Sequence, residues 1–470
     1  EYKELPAVFD AREAMRANAP AVHDGITRSA AIFDPAQVPE ARGANICGHF
    51  RLSKGDVAQA WKEADHVSEQ IYTAAQTQHC AFEPHAVVAR VTGDRIEVWS
   101  STQNPSVVQT QLAELFELPV SRIRVVALPL GSGYGSKLYL KLEPMAVALA
   151  MKVGRPVKIV LARDEVFLTL TEPGVWVRMK TAVSRDGKLL GREIEAVLDT
   201  GAYAEITARL ARGVGLTAAG PYRIPNLAVE VFAVYTNKPP AGALRGVMTR
   251  QLCWAYEQEM DRIAERLRID PIDIRRQNLL ANGDAMHTGE NLQAVGLKEC
   301  LERVQAALDR HPAAVEPGER DGSLVRAWGV ACFIKHTMTP SLSLADLRLE
   351  DDGSLSVHVG SVEMGQGMST ALAQIAADAI GLPIGQVSTV FADTSSSPYD
   401  QGTNSSRAVF HMGRAIVEGA ARLKNELLAR ASELLEVAPA DLEIRDGQVT
   451  VRGHPDSRLG FGEIVKRVFG

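Results

Sequence analysis

Glu363-Met364-Gly365-Gln366-Gly367-Met368-Ser369-Thr370 follows a strand-like run and opens a helix-like one. The start of a helix presents unpaired N–H groups and the positive end of its dipole, where a phosphate or carboxylate binds. The stretch reads equally as a plain helix capped by Ser369 or Thr370. Strand, glycine loop and helix in that order define mixed α and β layers, and the same grammar recurs along the chain.

Three more segments are poor for packing and good for holding an anionic ligand. Gly131-Ser132-Gly133-Tyr134-Gly135-Ser136-Lys137 follows the strand-like Ile123 to Leu128, and its lysine and serines suit phosphate or oxo groups. Its spacing matches neither the Walker loop nor G-x-G-x-x-G. Asp393 to Pro398 and Gly402 to Arg407 form a hydroxyl-rich loop running into the longest helical stretch. Gly242 to Gln251 places Arg245 between glycines, again ahead of a helix. A smaller fifth segment, Ser100 to Pro105, sets Asn104 as a cap before proline at the first helical position. Singly, each reads as a tight turn or a cap. Together they point to one large polar, phosphate-bearing ligand held between lobes.

Hairpin turns are expected at Gly93-Asp94, Asp186-Gly187, Asp352-Gly353 and Asp446-Gly447. Helices are expected over Asp10 to Asn18, from Asn104 to about Leu118, and over Leu142 to Val153, Gln251 to Arg266, Lys298 to Ala306, Ser369 to Ile380 and Ser406 to Val437. The fold class is therefore α+β: two lobes of mixed sheets with helices, a ligand held between them by Gly-rich loops and helix N-termini. The boundaries expected are a connector over 1–55, a first lobe over 56–315 and a second over 316–470, with the polar stretch Arg310 to Asp321 between the lobes.

With 51 basic and 57 acidic residues, the chain is mildly acidic, which argues against a nucleic-acid binder. No apolar run approaches the ~20 residues that span a bilayer, so membrane insertion is not expected. The five cysteines are far apart and the histidines form no H-E-x-x-H. That excludes a disulfide scaffold and a zinc or iron–sulfur site within the chain, and the cysteine usage reads as cytoplasmic. No direct metal ligand is expected; a metal would arrive inside a cofactor.

In their order along the chain these segments resemble the molybdopterin-binding large subunit of the xanthine dehydrogenase family. Leu5-Pro6-Ala7-Val8, Glu83-Pro84-His85-Ala86, Ser101-Thr102-Gln103-Asn104-Pro105 and Tyr222-x-Ile224-Pro225-Asn226 support the resemblance. It implies that Gln103 faces an oxo ligand of molybdenum and that the backbone at Gly133 and Tyr134 approaches the metal's apical oxygen. It implies that Arg245, Met364, Gln366 and Gly367 hold the pterin. Thr370, Ser405 and Ser406, with Arg407, would hold the phosphates and the nucleotide of a cytosine dinucleotide form. The family hydroxylates an electron-poor carbon with water as oxygen source, a glutamate acting as general base. Electrons leave through [2Fe-2S] centres to FAD, which places an iron–sulfur subunit and an FAD subunit among the expected partners.

The sequence departs from the family pattern in places. The usual Gly-Gly-Gly-Phe-Gly-Gly-Lys is loosened to Gly131 to Lys137, and Leu138 and Val247 stand where purine-oxidising members carry a glutamate and a phenylalanine. That counts against xanthine and leaves an aromatic heterocycle, an aromatic acyl thioester or an aldehyde. Phe333 reads as a buried strand residue or an aromatic wall. The family's late Gly-x-Gly-Glu has one counterpart, Gly460-Phe461-Gly462-Glu463, which reads as an ordinary helix entry. The base is thus expected on a second molybdopterin-binding chain, as in the divided subunit of nicotinate dehydrogenase. A scaffold or fragment without cofactor, and an unrelated nucleotide-binding enzyme using the Gly131 to Lys137 loop, are the competing readings.

Overall fold

A computed structural model describes residues 3–24, 45–310, 320–325, 327–335 and 341–469. In chain order the main elements begin with β1 (Ile46–Lys54), α1 (Val57–Glu63) and β2 (His66–Ala74). Next come β3 (Ala86–Thr92), β4 (Arg95–Ser100), α2 (Pro105–Leu115), β5 (Ile123–Ala127), α3 (Glu143–Val153) and β6 (Val157–Val160). There follow β7 (Gly174–Val183), β8 (Leu189–Gly201), α4 (Thr207–Thr217), β9 (Asn226–Tyr235), α5 (Thr249–Leu267), α6 (Pro271–Asn278) and α7 (Leu297–Asp309). The last stretch holds β10 (Ala345–Leu349), β11 (Leu355–Val359), α8 (Met368–Ile380), β12 (Val387–Phe391), α9 (Gly413–Leu435), β13 (Leu442–Arg445), β14 (Gln448–Val451), β15 (His454–Gly460) and α10 (Phe461–Phe469). The α+β class is as expected.

The chain packs as two discontinuous units, residues 1–78 with 170–336 and residues 79–169 with 337–470. This differs from the contiguous lobes expected at 55/56 and 315/316. Of the expected connector, 25–44 lies outside the described residues, as does 311–319 of the expected boundary. The discontinuity has a physical cause in the second unit. The edge of β5 joins the far segment through an isolated bridge between Val126 and Asp393, Ala127 N–H donating to Ala392 O (3.0 Å) and Thr394 N–H donating to Val125 O (3.0 Å). Arg124 clamps the same join, its Nη2 lying 2.6 Å from Asp393 Oδ2.

The first unit is built on a five-stranded sheet in the order β1-β9-β8-β7-β2. Alternation along β9 turns Leu227, Val229, Val231 and Ala233 into a core completed by α4 and α5. The second unit carries a four-stranded sheet, β5-β4-β3-β6, with α2 and α3 packed on it. It also carries a three-stranded sheet, β10-β11-β12, against which α8 and α9 pack. Every residue of β11 is buried, with Leu355, Val357 and Val359 in the core. A small antiparallel sheet, β13-β14-β15, leads into α10.

All four Asp/Gly hairpins form where expected, with pairs Thr92↔Arg95, Leu189↔Val183, Leu349↔Leu355 and Arg445↔Gln448. Asn104 caps α2 with Pro105 at its first position, and Asp10 caps a one-turn helix, Ala11–Ala14, shorter than expected. The long last helix differs more. It starts as a π turn over Ala408–Met412 before α9 proper, a distortion that tends to occur at functional sites.

Candidate cofactor site

Gln103, Gly133, Tyr134, Met364, Gln366, Gly367, Thr370, Ser405 and Ser406 all belong to the second unit, whereas Arg245 belongs to the first. In the second unit three loops meet around Gln103, which is 2% exposed. Its Oε1 accepts Gly135 N–H at 2.9 Å and its Nε2 donates to Thr403 O at 3.0 Å. A Cβ at Gly133 would lie 2.5 Å from Gln103 Oε1, so only glycine fits there. Thr403 continues the network: its N–H donates to Gln103 O (3.0 Å) and its hydroxyl accepts Val362 N–H (2.7 Å).

The loop over 131–137 is tightly wound, with Ser132, Tyr134 and Gly135 in left-handed conformations. For Ser132 and Tyr134 this costs energy and marks a constrained segment. Here the sequence reading needs correction, because Lys137 and Ser136 do not face a ligand. Lys137 is 1% exposed and its Nζ lies 2.7 Å from Glu83 Oε2, while Ser136 Oγ donates to Gly133 O at 2.9 Å. Burial lowers the Lys137 pKa, and the Glu83 carboxylate opposes that shift. His85 fastens the same loop through a 3.1 Å hydrogen bond between Nε2 and Ser136 O. Burial pushes this imidazole down to about 4, Lys141 and Lys137 adding to the effect and the Ser136 carbonyl opposing it. It is therefore neutral and its Nε2–H donates.

The loop before α8 also departs from expectation. Its helix start is capped by neither the Ser369 nor the Thr370 side chain. The Glu363 carboxylate occupies it: Oε1 accepts Gly365 N–H (2.9 Å) and Gly367 N–H (3.2 Å), and Oε2 accepts Ser369 N–H (3.0 Å) and Ser369 Oγ–H (3.2 Å). Burial works to raise the Glu363 pKa, but these bonds outweigh it and hold the carboxyl below its ordinary value. Gln366 accepts Met364 N–H (2.7 Å) and donates to Val362 O (3.0 Å). Met364 rests on a small apolar cluster of Ala127, Leu130, Val362 and Ala392. Thr370 is exposed.

Ahead of the π turn, Ser405 and Ser406 are consecutive left-handed residues whose side chains make no hydrogen bond with the described residues. Arg407, read as a phosphate ligand, is turned inward and wholly buried. It pairs with the equally buried Asp400 (2.8 Å) and donates to Gly402 O (2.9 Å), Leu342 O (2.6 Å) and Ser343 Oγ (2.7 Å). Its donors are spent on holding the loop.

In the first unit, Arg245 is exposed and makes no hydrogen bond or ion pair with the described residues. Gly246, Val247 and Met248, the three residues after it, all have positive φ. Such strain in valine and methionine needs surroundings that impose it. Phe333 is 63% exposed in an irregular segment, not a buried strand residue. In the second unit, Glu463 is exposed at the start of α10 and paired with Arg467.

The residues present suit a large ligand rich in oxygen and nitrogen acceptors. Gln103 and Gln366 each use one of two amide protons within the protein, which leaves one for a ligand acceptor. The backbone at Gly365 and Gly367 faces open space, with no atom within 4 Å of a notional Cβ. The hydroxyls of Ser405 and Ser406, without a partner among the described residues, lie where a helix begins. Glu363, Thr403 and His85 are organising residues that sequence reasoning missed. Of these, Glu363 left a trace, a carboxylate six residues before Ser369 at a helix start.

The comparisons agree with this chemistry. Residues 38–279 and again 300–470 match the molybdopterin cofactor-binding domain. The xanthine dehydrogenase molybdenum-binding subunit of Escherichia coli O157:H7 is 31% identical over 98% of this chain and 60% of its own length. The nicotinate dehydrogenase large molybdopterin subunit of Eubacterium barkeri is 32% identical over 65% of this chain and 68% of its own length. Quinoline 2-oxidoreductase from Pseudomonas putida 86 superimposes with a TM-score of 0.83 at 26% identity, covering 100% of this chain and 60% of that one. The fold and the loops thus define a molybdopterin cofactor-binding protein. The chain belongs to the molybdopterin-binding large subunits of the xanthine dehydrogenase family, whose members are molybdenum hydroxylases, and it spans 60% of the length of the Escherichia coli relative.

Proposed function

We propose that the chain is the molybdenum-cofactor-binding component of a xanthine dehydrogenase-type hydroxylase. It oxidises an electron-poor carbon of an aromatic heterocycle, aromatic acyl thioester or aldehyde, with water as the oxygen source. The observation that carries this is the joining of three loops by Gln103, with unspent donors left around them. When bound, the molybdenum pterin supplies a Lewis-acidic redox centre that takes two electrons from the substrate carbon.

The chain's own residues bind and orient. Gln103 and the backbone at Gly133 and Tyr134 would hold the metal's oxygen ligands, and Met364, Gln366 and Gly367 would hold the pterin. Arg245 is assigned to the pterin on its exposed guanidinium, which pairs with none of the described residues. Thr370, Ser405 and Ser406 take the phosphates, in a cytosine dinucleotide form. Leu138, buried and apolar, offers no carboxylate for a purine. Glu463, exposed and paired with Arg467, is not the base; the base glutamate lies outside residues 1–470. Electrons pass to [2Fe-2S] and FAD subunits. The compartment is the cytoplasm, in keeping with five cysteines none of which is in a disulfide. Among the described residues no helix is long and apolar enough to cross a membrane.

Metal analysis with intact-complex mass spectrometry on natively purified protein tests this. Molybdenum near one per chain with co-purifying subunits is expected. Absence of both molybdenum and partners would overturn it in favour of a cofactor-free scaffold.

A further inference from the structure

We infer that Glu363 is a positioning residue for the pterin: its carboxylate is spent on the chain's own donors and fixes Gly365 and Gly367 so that Met364 and Gln366 are presented. This rests on the cofactor-binding role proposed above. The two carboxylate oxygens accept four donors from Gly365, Gly367 and Ser369. Charge-assisted bonds of this kind are the strong ones. Gly365 and Gly367 have φ of +92° and +76° and no neighbour within 4 Å of a notional Cβ, so side-chain packing does not fix them. Without the carboxylate, two unrestrained glycines would give the loop many conformations to lose on binding a ligand. The Glu363 carbonyl also accepts Leu130 N–H at 2.9 Å, which ties this loop to the one over 131–137.

The test uses Glu363→Gln in the assembled, pterin-loaded complex, with molybdenum per chain, pterin fluorescence after oxidative release, and thermal melting as readouts. Glutamine keeps the shape but turns one acceptor oxygen into a donor facing an N–H group. The control is Asp270→Ala, which removes a cap from α6 in the other unit, where Asp270 accepts Ile272 N–H at 2.8 Å. We expect Glu363→Gln to lower molybdenum and pterin content about tenfold, while Asp270→Ala melts earlier yet keeps wild-type content. Should Glu363→Gln not fold, Glu363→Asp, which keeps the charge but shortens its reach, is expected to fold with reduced content. Wild-type content in a folded Glu363 variant would overturn the proposal, as would content falling in both Glu363→Gln and Asp270→Ala in step with melting temperature. If wild-type protein holds pterin while the variants behave so, only this role fails. Wild-type protein without pterin overturns the cofactor-binding role and this one with it.

Discussion

The starts of α8 and α9 read alike in sequence, each a glycine and hydroxyl loop running into a helix, yet the structure treats them in opposite ways. At α8 a negative side chain, Glu363, folds back onto the helix end and accepts the N–H groups of Gly367 and Ser369. At α9 a positive side chain, Arg407, turns away into the protein, and the helix begins with a π turn preceded by two serines whose hydroxyls have no partner among the described residues. One end is occupied by the chain's own carboxylate and the other keeps its hydroxyls unspent. Composition alone does not separate them, because the difference lies in where a single charged side chain points.

Breaking the anchor at α9 should have the largest effect. Arg407→Met leaves Asp400 buried without its partner, and the expected loss is about 3–5 kcal/mol of stability in denaturant titrations. A variant as stable as wild type would show that the loop does not depend on this pair. Acid comes next and acts on the third loop. His85 is neutral in the fold, so the unfolded chain binds more protons below the ordinary histidine value of 6.5. Its contribution is complete above that value and is lost as pH falls from 6.5 to about 4, at roughly 3 kcal/mol in all. His85→Gln should flatten this part of the melting-temperature profile; a slope identical to wild type would exclude His85 as its source.

Ser406 sharpens the comparison from the other side. Ser406→Gly relieves a left-handed serine and should stabilise the chain by about 1 kcal/mol, while cofactor retention falls. A gain in stability with retention unchanged would remove Ser406 from the site. The smallest effect belongs to Glu463, at a helix start that resembles the family's catalytic motif. Glu463→Gln costs only an exposed pair with Arg467, about 0.5 kcal/mol or less, and turnover of the assembled complex should stay nearly intact. Abolished turnover with molybdenum still bound would make Glu463 the base after all.

Much of the local structure was legible because its causes are local. Asp-Gly pairs made the hairpins, Asn104-Pro105 started α2, and glycines marked the loops. The discontinuous second unit was not legible, because the bridge between Val126 and Asp393 joins strand edges that nothing nearby in sequence announces. The roles of Lys137 and Arg407 were misjudged for a related reason. A basic residue in a glycine loop attracts a phosphate only if no carboxylate reaches it first, and Glu83 and Asp400 do. Phe333 failed differently: an apolar neighbourhood in sequence stood in for burial, and the segment is irregular and open.

The hydrogen bond from Gln103 to Thr403 spans 300 positions of the chain. During synthesis the first half of this network emerges long before its second half exists, with the whole 170–336 segment made in between. For that interval the loop over 131–137 lacks Thr403, one of the partners that hold Gln103 in place, and long-range closures of this kind are slow. Closure of this network can therefore only follow translation of residue 403, and until then the incomplete chain is the aggregation-prone species.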